Sequence, residues 1–399
     1  MPQKHKKTIK RKPKSRLHKV RHATFHHAKK HSTTAKNWYQ KASIIQKIGV
    51  WLLAIFIVIL SIMYSISQWY TFKHKNEPLQ IGATFIAPYA ERLGLDPKET
   101  LQASINDLGI TRYRLVSYWN VGEPQKDTYD FSELDWQFDM VEQAGGTVTL
   151  ALGARQPRWP ECHIPDWAQN SDEEIWKAEL KEYIAQVVNR YKDRPALVSY
   201  QMENEYFLEV FGECEDHTRQ RLIDQFNLVK QLDQDKPVIV SRSNNATPSW
   251  PVGKPRADIV GASIYKRVWD RTLTKRYFEY PFPAWFYGFL AGATEITTGR
   301  NTFIHEMQAE PWPPKDILEV SLEEQDKSFN ASMMKDRINF GVATGMRTID
   351  MWGMEWWYYR KVKFNDFSVW EEAQQEIQRL NNPDINCPSR YNDKTETDC

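Results

Sequence analysis

No aspartate or glutamate occurs in the first 47 residues of this 399-residue chain, although 51 acidic residues follow. The same stretch holds 15 Lys and Arg and six of the ten His. The remainder carries 38 basic and 51 acidic residues, so the formal net charge of +2 conceals a +15 arm and a −13 body. Such an arm has too little apolar surface to offset the cost of ordering, and 1–47 is expected to be disordered. Charge of either sign is then missing from Ile48 to Ser67, IGVWLLAIFIVILSIMYSIS. At about 1.5 Å per residue this run can cross a hydrocarbon layer of about 30 Å. Lys41 and Lys47 flank one side, and Trp69, Tyr70, Phe72 and Lys73 the other, where interfacial anchors are expected. The expectation is a transmembrane helix over 48–70 and a linker over 71–77, with a buried core helix as the alternative. A signal peptide fits less well, because its apolar part is usually about 7–15 residues behind a short basic start. The basic arm then lies in the cytoplasm and the rest outside a single-pass cell membrane. The lipid bilayer is an expected partner. Nucleic acid is not, since no fold-level binding motif accompanies the basic charge.

Cysteine is scarce too. Cys162, Cys214, Cys387 and Cys399 form no CxxC pair, which removes the zinc-ribbon and thioredoxin-like readings. No His/Cys/Asp cluster suggests a metal site, and no cofactor is expected. There is no internal repeat. No Gly-rich phosphate turn follows the first strand-like run, which counts against the runner-up architecture, an open doubly wound sheet.

From about residue 78 the chain alternates. Eight β-rich runs begin at Ile81, Arg112, Thr147, Ala196, Pro237, Asp258, Asn301 and Arg347. They are apolar nearly throughout, as strands covered on both faces are. Helical patterns fill most intervals. DPKETLQASINDLG opens on an Asp-Pro cap, FSELDWQFDMVEQAGG puts Leu134, Phe138 and Val141 on one face, and SDEEIWKAELKEYIAQVVNRY offers Ser171 as N-cap. The interval after the fifth run reads as a loop, and the interval 266–300 is long, with a helix-like piece PAWFYGFLAGATEIT. The pattern predicts a (β/α)8 TIM barrel over 78–381, followed by an irregular tail over 382–399.

In such a barrel, chemistry sits at the carboxyl ends of the strands. Run 2 carries Arg114 and leads to Trp119. Run 3 enters GARQPRWPECHIPDW, with Trp159 and His163. Run 4 ends in Glu203-Asn204-Glu205, run 6 in Tyr265, run 7 in His305-Glu306 and run 8 in Trp352. Two carboxylates across a barrel mouth suit glycoside hydrolysis. An Arg beside one of them would hold it ionised. Neighbouring loops after runs 3 and 4 favour a Cys162–Cys214 disulfide among the three possible pairings.

With these residues in order, the barrel portion resembles the clan A retaining glycoside hydrolases, which include cellulases, mannanases and β-galactosidases. The resemblance implies Glu205 as acid/base and Glu306 as nucleophile. It implies Asn204 at the sugar 2-hydroxyl, Arg114 and Tyr265 beside the nucleophile, and Trp352 under the first subsite. Trp119, His305 and Trp159 are further candidates for substrate contact. Glu310 rivals Glu306 but lies past the expected strand end. Glu203 either supports the site from behind or forms a salt bridge with Arg155 or Arg158. The implied partner is an extracellular carbohydrate. Two other functions use the same residues: a transglycosylase that remodels surface glycan, and a glycan-binding barrel without turnover.

Overall fold

Eight strands close into a parallel barrel, and each coincides with one of the eight apolar runs. The computed structural model describes residues 38–209, 211–214, 216–243 and 254–381. The strands are β1 (Gln80–Thr84), β2 (Arg112–Val116), β3 (Thr147–Leu152), β4 (Leu197–Met202), β5 (Val238–Ser243), β6 (Ile259–Ile264), β7 (Arg267–Trp269), β8 (Tyr277–Glu279), β9 (Asn301–Gln308) and β10 (Thr348–Trp352). The barrel order is β1-β2-β3-β4-β5-β6-β9-β10, with β10 returning to β1. The pair β7–β8 is a separate antiparallel hairpin. It fills part of the long interval 266–300, where the sequence reading placed only a helix.

Local chemistry explains the helices. Asp96 caps Pro97–Asn106 by accepting from the Glu99 N–H at 2.9 Å, which satisfies one of the four orphan donors of a helix start. Leu134, Phe138 and Val141 are buried on Ser132–Gln143, as their spacing requires. Glu173–Tyr191 starts one residue later than expected: Asp172 is the N-cap, while Ser171 donates to the Ala168 carbonyl at 2.6 Å. The loop expected after β5 falls on 244–253, and the tail on 382–399. Both lie outside the described residues, as do 1–37 of the basic arm, Cys387 and Cys399.

The chain divides into two units, Met1–Ile62 and Met63–Cys399. A helix, Ile44–His74, runs through the boundary and is long and apolar enough to cross a membrane. In the first unit its apolar side chains, such as Ile55, Phe56 and Val58, are exposed. The linker expected over 71–77 is helical as far as His74. The reason lies in the second unit, where Ser67, Tyr70 and His74 are buried against the helix Ala284–Thr298. Gly288 and Gly292 permit this approach. A Cβ on Gly288 would meet Ser67 Oγ at 2.6 Å, and one on Gly292 would meet Tyr70 Cβ at 3.1 Å. Small residues four apart let two helix backbones pack closely.

Candidate active site

Arg114 stands on β2 with no exposed surface, and every polar atom of its guanidinium has a partner. Nη2 donates to Glu306 Oε1 at 2.7 Å, Nη1 to His305 Nδ1 at 2.6 Å and to Gln201 Oε1 at 3.2 Å, and Nε to Thr84 Oγ1 at 3.0 Å. Arg114 can only donate, so His305 Nδ1 accepts. His305 Nε2 therefore carries the proton and donates to Ser263 Oγ at 2.8 Å. Burial, and then the charge of Arg114, push the His305 pKa well below the usual imidazole range. The ring is a neutral prop for the arginine. Fully buried, His305 does not line the cleft as the sequence suggested.

The other oxygen of Glu306, Oε2, accepts from Tyr265 Oη at 2.8 Å. Burial, then Glu306, then Glu205 raise the Tyr265 pKa well above its ordinary value. Tyr265 thus stands within the electrostatic reach of both carboxylates. Glu306 is fixed by one cation and one hydroxyl, each on a different oxygen. That arrangement orients the carboxylate.

The end of β4 makes a strained turn. Glu203 (φ 53°) and Glu205 (φ 43°) both take the left-handed conformation, which costs non-glycine residues on the order of 1–3 kcal/mol each. Glu203 is a support. It is buried and accepts from Arg221 Nη1 at 2.8 Å and from the backbone N–H groups of Arg155 and Ala154 at 2.5 and 3.3 Å. Of the two roles the sequence left open, the structure agrees with support; the salt bridge is to Arg221, not to Arg155 or Arg158. Gly153 (φ 120°) makes room for it, since a Cβ there would lie 2.5 Å from the Glu203 carboxyl carbon. The Glu205 N–H donates to Ser241 Oγ at 2.9 Å, which fixes the turn from β5.

Glu310 belongs to a different cluster. Both of its oxygens accept from Arg158, and Oε1 also accepts from Trp352 Nε1 at 2.7 Å. The Arg158 guanidinium lies 3.4 Å from the Tyr89 ring centroid and 4.3 Å from that of Trp352. Trp352 is buried, with Arg114 at 5.7 Å from its ring. Trp119 is fully buried, bonded to Glu123 at 2.8 Å and packed on Trp167 and Tyr183. It belongs to the hydrophobic core, at the first position of the short helix Trp119–Gly122. Trp159 is 61% exposed and meets Phe211 edge-on at 6.0 Å. His163 is half-buried against Tyr118, and burial lowers its pKa to about 4.

Glu161 escaped the sequence reading. It is buried, and Asn204 Nδ2 donates to its Oε2 at 3.3 Å while Arg155 Nη2 lies 3.8 Å away. Burial is the main cause that pushes its carboxyl up to about 8; Glu205 and Glu306 add to it, and Arg155 and the Asn204 bond oppose it. At neutral pH it holds a proton. The adjacent Cys162 is bonded to Cys214, with the two Cα atoms 5.3 Å apart. That bridge ties the Glu161 loop to the loop after β4, and the sequence position beside Cys162 was the available signal. Among the described residues no group of three or more His, Cys, Asp and Glu is placed to hold a metal ion.

A family model described as beta-galactosidase (Glyco_hydro_42) matches residues 98–235. That stretch holds Arg114, Asn204 and Glu205 and ends before Glu306. Beta-galactosidase Bga of Halorubrum lacusprofundi is 24% identical over 157 residues, 33% of this chain and 22% of that protein. Beta-galactosidase 14 of Arabidopsis thaliana is 24% identical over 159 residues, 35% of this chain and 18% of that protein. The matched stretch is thus a small part of either relative. Among solved structures, the beta-galactosidase of Marinomonas ef1 superposes with a TM-score of 0.53 at 12% identity, over 76% of this chain and 60% of that one. The beta-galactosidase from Halorubrum lacusprofundi gives 0.51 at 13%, over 76% and 58%. Identity this low carries the fold alone. The chain is thus similar to beta-galactosidases over part of its length, and the superpositions carry the barrel fold.

Proposed function

We propose that the chain is a membrane-anchored, retaining β-glycoside hydrolase whose barrel acts outside the cell on an oligo- or polysaccharide. The observation that carries this reading is the grip on Glu306, one oxygen to Arg114 and the other to Tyr265. In the first step Glu306 attacks the anomeric carbon while Glu205 passes its proton to the glycosidic oxygen, and the bond to the leaving sugar breaks. In the second, Glu205 takes a proton from water, the water oxygen bonds to the anomeric carbon, and Glu306 leaves. Asn204 stands beside Glu205 to meet the 2-hydroxyl. Glu161, protonated, holds the Asn204 amide without adding a third negative charge near the two working carboxylates.

The names of the relatives make a β-galactoside the first substrate to try. Full-length protein in detergent, given aryl β-galactoside and a panel of other aryl β-glycosides, should turn over at least one of them with retention, read by NMR of the first product anomer. Glu306→Gln should abolish turnover and keep the thermal unfolding profile. Inversion, or full activity in Glu306→Gln, sinks the assignment.

A further inference from the structure

We propose that an aromatic row running outward from the nucleophile binds the leaving-group side of the substrate, so that the barrel is built for glycans with more than one sugar beyond the scissile bond. This deepens the hydrolase reading and rests on it. The row starts at Tyr265, whose hydroxyl donates to Glu306. Tyr265 meets Trp312 edge-on at 5.3 Å, Trp312 meets Phe211 at 5.7 Å, and Phe211 meets Trp159 edge-on at 6.0 Å. The first three rings are partly buried and Trp159 is exposed. A tryptophan exposed singly is ordinary. One that ends a contiguous row beginning at a working carboxylate is a surface for a ligand that continues from the site. Sugars present flat C–H faces, and aromatic side chains offer flat apolar faces to them.

The row is braced from the main chain. Trp312 lies between Pro311 and Pro313; its N–H donates to Ser328 Oγ at 3.0 Å, and its carbonyl accepts from the Trp269 N–H of the β7–β8 hairpin at 3.0 Å. The Phe211 N–H donates to the Leu208 carbonyl at 3.3 Å. Trp159 follows Arg158, which is bound to Glu310, and precedes Pro160, whose carbonyl accepts from the Glu213 N–H at 2.9 Å. The Cys162–Cys214 bridge joins the loop of Trp159 to the loop of Phe211. Rings on a braced backbone lose little freedom when a ligand arrives, which is what a pre-organised subsite needs. The side follows from Glu205. The acid/base gives its proton to the leaving oxygen, so the leaving sugar lies towards it. Phe211 stands on the loop that continues from Glu205. Burial, then Asp270, then Glu205 raise the pKa of Tyr280, the residue after β8, so the hairpin that holds Trp312 borders the acid/base. Trp352, expected under the first subsite, belongs to the other cluster, with Arg158, Glu310 and Tyr89. Arg158 and Trp159 adjoin in sequence, and the turn at Arg158 (φ 83°) sends one to each group.

The test uses the full chain in detergent. It takes the sugar whose aryl β-glycoside is turned over and compares that aryl glycoside with the β-linked di- and tetrasaccharide of the same sugar. A label at the reducing end of the tetrasaccharide shows by mass which bond is cut. In the parent, kcat/KM should rise several-fold from disaccharide to tetrasaccharide, and the preferred cut should leave more than one sugar on the labelled fragment. Trp159→Ala should erase most of that rise, through KM, and lower kcat/KM for the aryl glycoside far less. Trp159→Tyr, which keeps a flat ring, should retain much of the rise. A flat length series in the parent overturns the proposal, as does a rise that survives in Trp159→Ala. Equal losses on the aryl glycoside and the tetrasaccharide make Trp159 a brace of its loop and overturn the proposal too. Absence of turnover of every glycoside in the parent identifies failure of the hydrolase reading, and the proposal falls with it.

Discussion

Arg114 and Glu306, 192 residues apart in sequence, meet at 2.7 Å with almost no exposed surface on either side chain. Taking both charges out of water is expensive, and their attraction returns the cost only when the remaining donors and acceptors are satisfied. Here they are, through Thr84, Gln201, His305 and Tyr265. Packed hydrophobic residues would stabilise a barrel interior as well, so the pair is better understood as a device for aiming one carboxylate.

Arg114→Ala should therefore lose activity and stability together. The unpaired Glu306 is left buried, a penalty of about 3–5 kcal/mol for breaking such a pair. Urea unfolding of the variant checks the stability part. A variant as stable as the parent at neutral pH would contradict the buried-pair account.

Tyr265→Phe separates orientation from folding. The ring and its edge-on contact with Trp312 at 5.3 Å remain, while one bond to a charged acceptor is lost. Such bonds are worth about 1.5–3 kcal/mol, so kcat should fall by roughly 10- to 100-fold with the melting temperature nearly unchanged. Parent-like kcat would remove Tyr265 from the nucleophile's support.

Glu161 gives a pH signature. Its carboxyl ionises near 4.5 ordinarily and near 8 in the folded chain. Between those values the folded state keeps a proton that the unfolded state has released, so stability falls as pH rises from about 4.5 to about 8. Buried Glu355, pushed up to about 7 mainly by burial, adds a slope of the same sign. Glu161→Gln should flatten the loss by a few kcal/mol between about pH 5 and pH 8. Urea midpoints at the two pH values check it, and an unchanged slope would count against a protonated Glu161.

Gly153→Ala should be costly out of proportion to one methyl group. The position has φ 120°, and its Cβ would press on the Glu203 carboxylate. Overpacking of this kind costs about 1–3 kcal/mol before the backbone strain is added. Glu203 carries the turn into Asn204 and Glu205, so kcat should drop as well. A variant with parent-like stability and kcat would show that the turn tolerates repacking.

Much of the barrel was legible because buried parallel strands must be apolar on both faces and their helices need caps, as at Asp96. Charge at the end of an apolar strand is costly unless used, which singled out Arg114, Glu205 and Glu306, while Asn204 and Tyr265 came from the family resemblance; the structure brings Arg114 and Tyr265 onto Glu306. The hairpin was hidden, since strands of three residues leave no periodic trace. Trp119 and His305 read as cleft-lining for a related reason. Sequence shows that a residue follows a strand end, but whether it is buried depends on partners such as Glu123 for Trp119 and Ser263 for His305. Glu161 lay in a loop, where a carboxylate is normally solvated; only the folded neighbours bury it.

The Cys162–Cys214 link has a consequence for timing. Disulfides persist in oxidising surroundings and not in a reducing cytosol. A newly made chain that still faces glutathione has nothing covalent to hold Glu161 under Asn204. The hold of that loop on Asn204 is thereby tied to the redox state of its surroundings.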